Sequence, residues 1–77
     1  MINEYERVAI TIDLPQYRLK SGDIGTVVDI TSDAKEYTLE FFTLDGETYA
    51  VVPVMREHIR QIGQGEVAHA RSVETIA

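Results

Sequence analysis

The chain has 77 residues, the length of one domain, with 44% hydrophobic and 26% charged residues as in ordinary globular proteins. It carries 13 acidic and 7 basic residues, and the resulting net charge of −6 disfavours binding to nucleic-acid phosphates. Cysteine is absent, which excludes disulfides and thiolate metal sites, and no apolar run approaches the roughly 20 residues that span a bilayer.

Apolar residues recur at every second position near the start of the chain, which is the period of a half-buried strand. Val8, Ile10 and Ile12 form the first such row. Segment 13–23 interrupts the row with a proline and a Ser-Gly-Asp turn signal, because proline cannot donate to a strand ladder. The β-branched run 25–30 then predicts a second strand.

The clearest strand signal lies in segment 36–42, after a polar loop at 31–35. Tyr37, Leu39 and Phe41 alternate there with polar residues. This alternation predicts a third strand whose three apolar side chains face the core.

The second half of the chain predicts two further strands. The Asp-Gly pair at 45–46 favours a tight hairpin, which leads to a return strand at 48–52. Pro53 is expected to end that strand, because proline lacks the N–H that a ladder needs. Residues 54–58 are expected to form one helical turn, and residues 59–62 a short last strand.

Five short strands joined by connections too short for helical crossovers must pair antiparallel. Curling such a sheet into a small barrel buries its apolar face and removes most of the free edge. We therefore predict an all-β fold, a five-stranded antiparallel SH3-like barrel over residues 1–62 with a C-terminal tail at 63–77. A Cβ atom is expected to be unwelcome at Gly25 and Gly46, which close turns, and a positive φ at these positions would account for it. The residues predicted to face inward are Val8, Ile10, Val27, Leu39, Phe41, Tyr49, Val51 and Ile62.

The tail carries Val67, Ala70, Val73 and Ile76 at helical spacing, which predicts one apolar stripe of a short helix. A helix of roughly 11 residues is marginal alone. The alternatives are a frayed terminus, packing on the chain's own barrel, and packing on a second copy, which would give a twofold dimer.

Three short motifs follow one another within residues 7–62: Asp-Leu-Pro at 13–15, Gly-x-x-Gly-Thr-Val at 22–27 and Tyr-Ala at 49–50. In this order they resemble a family of small bacterial proteins catalogued as a domain of unknown function. The first two motifs are also similar to the SH3-like barrel of nitrile hydratase β subunits and their small activator proteins. The resemblance implies a barrel and a helper role, and it implies no reaction.

The glycine turn at 22–25 is also similar to that of KOW-type barrels, which bind RNA or ribosomal proteins. Between residues 13 and 47, however, the chain holds eight acidic and three basic residues, a balance that repels phosphates. A nucleic-acid- or ribosome-associated barrel is therefore the alternative to the leading prediction.

A small enzyme is the least favoured class. Glu36 and Glu40 share one strand face, but they alternate with apolar residues and are expected in solvent, where their acidity is not tuned for catalysis. His58 and His69 fall in different elements, so we predict no metal site, no catalytic residue and no cofactor.

The leading prediction is a non-catalytic protein-binding module, either an accessory subunit or an antitoxin- or inhibitor-like partner of a larger protein. The predicted partner is a basic protein, because acidic surfaces speed association with basic ones. We expect no nucleic acid and no membrane as partners, a homodimer through the tail as a further option, and a cytoplasmic location, since the acidic start is unlike a signal peptide. The predicted partner-binding residues are Tyr17, Glu36, Glu40, Phe42 and Glu47.

Overall fold

The structure is a computed structural model that describes residues 2–73, and its fold is all-β. The five strands are β1 (Arg7–Ile10), β2 (Ile24–Ile30), β3 (Glu36–Phe42), β4 (Thr48–Met55) and β5 (Ile59–Gln61). They form one open antiparallel sheet in the order β4-β3-β2-β1-β5. The predicted class, an all-β fold of five antiparallel strands, is confirmed.

One core cluster receives side chains from all five strands. Val52 and Val54 of β4 and Ile59 of β5 meet in this cluster, although β4 and β5 are the two ends of the sheet. A flat five-stranded sheet would hold its end strands roughly 19 Å apart. The sheet therefore curls around the cluster into a barrel-like shape. The cluster consists of Ile2, Val8, Ile10, Leu19, Val27, Tyr37, Leu39, Phe41, Val52, Val54 and Ile59.

The alternation predicted for β3 is present in the structure. Tyr37, Leu39 and Phe41 are all buried, while the neighbouring Phe42 is 49% exposed. The residues opposite Leu39 in the two neighbouring strands are also buried, namely Val27 of β2 and Val52 of β4. β3 therefore supplies the centre of the core.

The pairing of β3 with β4 shifts by one residue near the hairpin. Phe41 lies opposite Ala50, but Phe42 lies opposite Thr48, so Tyr49 is an extra residue in β4. An extra residue of this kind breaks the alternation of its strand. Tyr49 is half-buried against the core, where the sequence predicted an inward-facing residue.

The inward prediction for Val51 is wrong, because the extra residue moves the core row of β4 onto the even positions. Val52 and Val54 are buried, whereas Val51 is 55% exposed. Ile62 is also wrongly predicted, since it follows the last residue of β5 and is exposed.

Pro53 does not end β4, contrary to the sequence prediction. The strand continues to Met55, and the predicted helical turn is a shorter 3-10 turn at Arg56–His58. The N–H of Arg56 donates to the carbonyl of Lys35 (2.8 Å), which indicates that the even positions of β4 bond towards β3. Pro53 is at an odd position, so its nitrogen points to the open edge, where proline is tolerated.

Two glycines are constrained for different reasons. Gly46 has a φ of +91°, which confirms the left-handed conformation predicted for the β3–β4 turn. Gly25 has no positive φ, and the left-handed position near it is Gly22 (φ +97°), so the predicted exclusion of a Cβ atom at Gly25 has a steric cause. A Cβ atom on Gly25 would instead lie 3.0 Å from Cε2 of Phe41.

The predicted tail helix is absent from residues 63–73. Val67, at the start of the proposed stripe, is 93% exposed, and Ile76 lies outside the described residues. A short helix with little apolar burial does not repay its nucleation cost. Ion pairs with the sheet domain, described below, fix the path of this segment instead.

The two adjacent phenylalanines provide a matched test of the β3 register. Phe41→Ala is expected to lower the free energy of unfolding by about 3–5 kcal/mol, because it removes a buried ring. Phe42→Ala is expected to change it by less than about 1 kcal/mol, because that ring is already half in solvent. Urea denaturation of both variants measures the difference, and equal losses would contradict the register.

Gly25→Ala is expected to destabilise the domain by more than about 1 kcal/mol, because the new methyl group presses on the buried ring of Phe41. In the double variant with Phe41→Leu, the smaller side chain leaves room for the methyl group. The combined loss should therefore be smaller than the sum of the two single losses. Additive losses in denaturation experiments would show that this contact is not the constraint.

Candidate partner-binding surface

The outward side chains of β2, β3 and β4 form one continuous surface, because residues directly opposite each other in a sheet point to the same side. The pairings join Asp29 to Thr38, and Glu36, Thr38 and Glu40 to three residues of β4. We call this surface the outer face. It comprises Thr26 and Asp29 of β2, Glu36, Thr38, Glu40 and Phe42 of β3, and Val51, Pro53 and Met55 of β4.

The β4 side of the outer face is an apolar strip. Val51 is 55% exposed, Met55 is 42% exposed, and Pro53 between them is also exposed. Side chains two apart on a strand lie roughly 7 Å from each other, so the three form an unbroken row. Phe42 adds a half-exposed ring near the hairpin end of β3.

The β3 side of the outer face is acidic. Glu40 lies opposite Val51, and Glu36 lies opposite Met55, so each carboxylate is the direct neighbour of an apolar side chain. The hydroxyl of Thr48 donates to Oε2 of Glu40 (2.7 Å), which orients that carboxylate. The result is an acidic strip beside an apolar strip.

The first basic residue after β4 is Arg56, whose side chain hydrogen-bonds to the chain that follows. Nη1 of Arg56 donates to the backbone carbonyl of Ile59 (3.2 Å), so its guanidinium turns towards the chain that follows. Asp29 extends the negative charge onto β2, where it is exposed.

Three of the five predicted partner-binding residues come together on the outer face, namely Glu36, Glu40 and Phe42. Glu47 is exposed in the adjoining turn, where its carbonyl accepts the N–H of Thr43 (2.8 Å). It therefore lies at the hairpin end of the same two strands.

Tyr17 lies apart from the other four predicted residues. It belongs to a 3-10 turn, Pro15–Tyr17, and packs half-buried against the core. Its carbonyl accepts the hydroxyl of Tyr49 (2.8 Å), and the two tyrosines line a shallow depression of about 250 Å³. Its position is that of a side chain closing the core.

The structure adds Val51, Met55 and Leu44 to the exposed apolar residues near this surface. Leu44 is 94% exposed in the β3–β4 turn. The alternation that starts at Tyr49 predicts an inward Val51, and Met55 falls within the predicted helical turn, so neither was expected on this surface. The exposed positions of Val51 and Met55 become evident once β4 is paired with β3 beyond Pro53.

Within residues 2–73, no polar or charged residue is fully buried, and no three acidic or histidine side chains group as a metal site. His58 is half-buried in the 3-10 turn, and His69 is exposed in the tail. The part of the chain that the structure describes also has no helix of the length and apolarity needed to cross a membrane.

The first tail contact is a two-pronged ion pair between Arg60 and Glu66. Nη1 and Nη2 of Arg60 donate to the two carboxylate oxygens of Glu66, at 2.8 and 2.7 Å. The N–H of Gly63 also donates to this carboxylate (2.6 Å). Hydrogen bonds from Arg60 and then from Gly63 lower the pKa of Glu66 from 4.5 to about 2.

The second tail contact joins Arg71 to the loop between β1 and β2. Nε of Arg71 donates to Oδ1 of Asp23 (3.0 Å), and Nη2 donates to Oδ2 of Asp23 and to the carbonyl of Arg18 (3.0 Å). The hydrogen bond to Asp23 raises the pKa of Arg71 above its usual value. A groove of about 450 Å³ lies beside this contact, with walls that include Asp13, Leu19 and Lys20.

Fold and surface together define a small all-β domain with an exposed acidic and apolar face. Residues 4–61 match the family described as a domain of unknown function (DUF4926). The match covers more than half of the chain, so the chain belongs to this family. The resemblance to such a family is thereby confirmed, whereas that to nitrile hydratase barrels stays a prediction. No curated protein and no solved structure is significantly similar to the chain.

The Arg60–Glu66 contact predicts a pH dependence of the tail. The pKa of Glu66 is about 2 in the folded chain, below its ordinary value of 4.5, so the contact is present above pH 4.5. It is lost as the pH falls from 4.5 through 2, because the protonated carboxyl no longer pairs with Arg60. NMR titration of the Glu66 carboxyl measures this shift. Arg60→Gln should move the pKa of Glu66 back towards 4.5, and an unchanged value would contradict the contact.

Proposed function

We propose that the chain is a non-catalytic protein-binding module that docks a basic protein on its outer face. In this role it is an accessory subunit or an antitoxin- or inhibitor-like partner of a larger protein. The observation that carries the proposal is the pairing of an acidic strip on β3 with an exposed apolar strip on β4.

The two strips supply different parts of the binding. Val51, Met55 and Phe42 offer exposed apolar area, whose burial gives affinity. Glu36 and Glu40 attract lysine or arginine side chains and orient the partner. The two glutamates are four residues apart on one strand, so their Cα atoms are roughly 13 Å apart. A matching partner presents two basic side chains at that separation beside an apolar row.

The open edge of β4 supports docking on the face rather than pairing along the edge. Pro53 cannot donate a hydrogen bond to an added strand, and it lies mid-strand between Val51 and Met55. Edge prolines are a common protection against strand addition and self-association. A partner seated on the outer face meets no such obstacle.

An SH3-like barrel is part of the proposal. A five-stranded antiparallel sheet curled around one core and a 3-10 turn before the last strand support it. A helper role like that of the nitrile hydratase accessory barrels fits the same arrangement. A cytoplasmic location, as predicted from the sequence, is also part of this proposal.

A pair of variants with matched chemistry tests the docking surface. Glu36→Gln with Val51→Ser removes one charge and one exposed valine from the outer face. Glu4→Gln with Val67→Ser makes the same two changes outside that face. Both variants and the wild-type chain are used for affinity capture from native lysate of the source, with mass spectrometry and nucleic-acid analysis of what is retained.

A basic protein retained by the wild-type chain and by the control, but reduced about tenfold or more by the outer-face variant, is the expected result. Its retention should weaken as salt is raised, because the glutamates are screened. Equal retention by both variants would contradict the docking surface. Tight, salt-sensitive retention of DNA or RNA would contradict the proposed function as a whole.

A further inference from the structure

Arg71 occupies a binding arrangement that the sheet domain builds from residues far away in the chain. Its Nε and Nη2 atoms donate to both carboxylate oxygens of Asp23, and Nη2 also donates to the carbonyl of Arg18. This ion pair is three-quarters or more buried on each side, with 25% of the Arg71 side chain and 20% of the Asp23 side chain exposed. We call the Asp23 carboxylate together with the Arg18 carbonyl the arginine socket.

Asp23 is held in place without the tail. The N–H of Lys20 donates to Oδ2 of Asp23 (2.8 Å), and the N–H of Asp23 donates back to the carbonyl of Lys20 (2.9 Å). The carbonyl of Asp23 accepts the N–H of Ile10 at the end of β1 (3.0 Å). These bonds orient the carboxylate from the loop and the sheet alone.

Arg18 is held in a conformation that other residues impose. Its φ of +59° lies in the left-handed region, which is unfavourable for residues with a side chain. Its N–H donates to the carbonyl of Pro15 (3.1 Å), and the flanking Leu14 and Leu19 form a two-bond bridge at 2.9 and 3.1 Å. Residues held in such strained positions often serve binding. The second half of the socket is thus also preformed.

The tail, by contrast, is attached mainly through charged groups. Gly63 and Gly65 precede its two ion pairs, and Val67 between them is 93% exposed. Little apolar area therefore holds the segment 64–70 on the domain. Displacement of the tail therefore exposes little new apolar surface to water.

The geometry of the socket selects arginine over lysine. Two parallel N–H bonds to one carboxylate plus a third to a carbonyl match the planar fork of a guanidinium. An ammonium group offers a point charge and cannot make the same pair of bonds.

We propose that Asp23 and the carbonyl of Arg18 form a guanidinium-binding site. Arg71 of the same chain occupies this site in cis. When the tail is displaced, an arginine of the basic protein partner binds there in trans. The partner's identity as a basic protein rests on the proposed function, whereas the site itself does not. The tail then acts as a competitor, so removal of the Arg71 guanidinium strengthens binding in trans.

The experiment uses the full chain with Arg71→Ala and the peptide acetyl-Gly-Arg-Gly-amide as probe, followed by amide chemical shifts in NMR titrations. In this variant, the amide signals of residues 18–24 are expected to shift in a saturable way as the arginine peptide is added. The apparent affinity for the peptide should be about tenfold or more above that of the wild-type chain, because Arg71 of the wild-type chain competes at high local concentration. The matching lysine peptide is expected to bind about tenfold or more weakly than the arginine peptide. Thermal stabilisation of the variant by each peptide gives a second readout.

Equal responses to the two peptides, or none at residues 18–24, would overturn the proposal. Asp23→Asn in the Arg71→Ala chain should abolish the arginine-specific shifts, and their persistence would also overturn it. If Arg71 fills the socket of a second copy, the wild-type chain sediments as a dimer that Arg71→Ala abolishes, which contradicts the cis assignment. In the Arg71→Ala chain, adding Glu36→Gln and Val51→Ser should leave peptide binding unchanged, so a failure of the outer face is distinguishable from a failure of the socket.

Discussion

The alternation of side chains along β3 is the constraint on which the core and the partner-binding surface both depend. Because successive residues of a strand point to opposite sides, the burial of Leu39 and Phe41 forces Glu40 and Phe42 outward. A slip of one residue would place carboxylates in the core and expose the largest apolar side chains. The register that buries the apolar side chains of β3 is therefore the same register that exposes the residues of the outer face.

This dependence explains which parts of the molecule were predictable. The periodicity of β3, the Asp-Gly turn and the lengths of the connections predicted five antiparallel strands, since each is a local signal. The position of Val51 was not predictable, because the extra residue at Tyr49 is visible only once β4 is paired with β3. The prediction that Pro53 ends β4 is wrong for a related reason. Proline ends a central strand but is tolerated on an open edge, and the position of β4 at the edge is visible only once the strands are paired.

The helix predicted for the tail is wrong because the organisation of this segment depends on long-range charge pairing. The spacing of its apolar residues suggested a helix, yet Arg71 reaches Asp23 across 48 positions of the chain. Such a partnership leaves no periodic trace in the sequence. In a chain with few basic residues, two of the seven, Arg60 and Arg71, hold the tail against the domain. Charge thus positions the C-terminal tail, while apolar burial organises the sheet domain.

The central claim, that the outer face is the site of partner docking, is tested most directly by photocrosslinking. The photoreactive amino acid p-benzoylphenylalanine is placed at Phe42 on the outer face or, as a matched control, at Tyr5, an aromatic residue that is 75% exposed elsewhere. The account predicts that irradiation in native lysate joins one basic protein to the chain from position 42 and not from position 5. A crosslink from position 5 alone, or equal crosslinks from both, would contradict it.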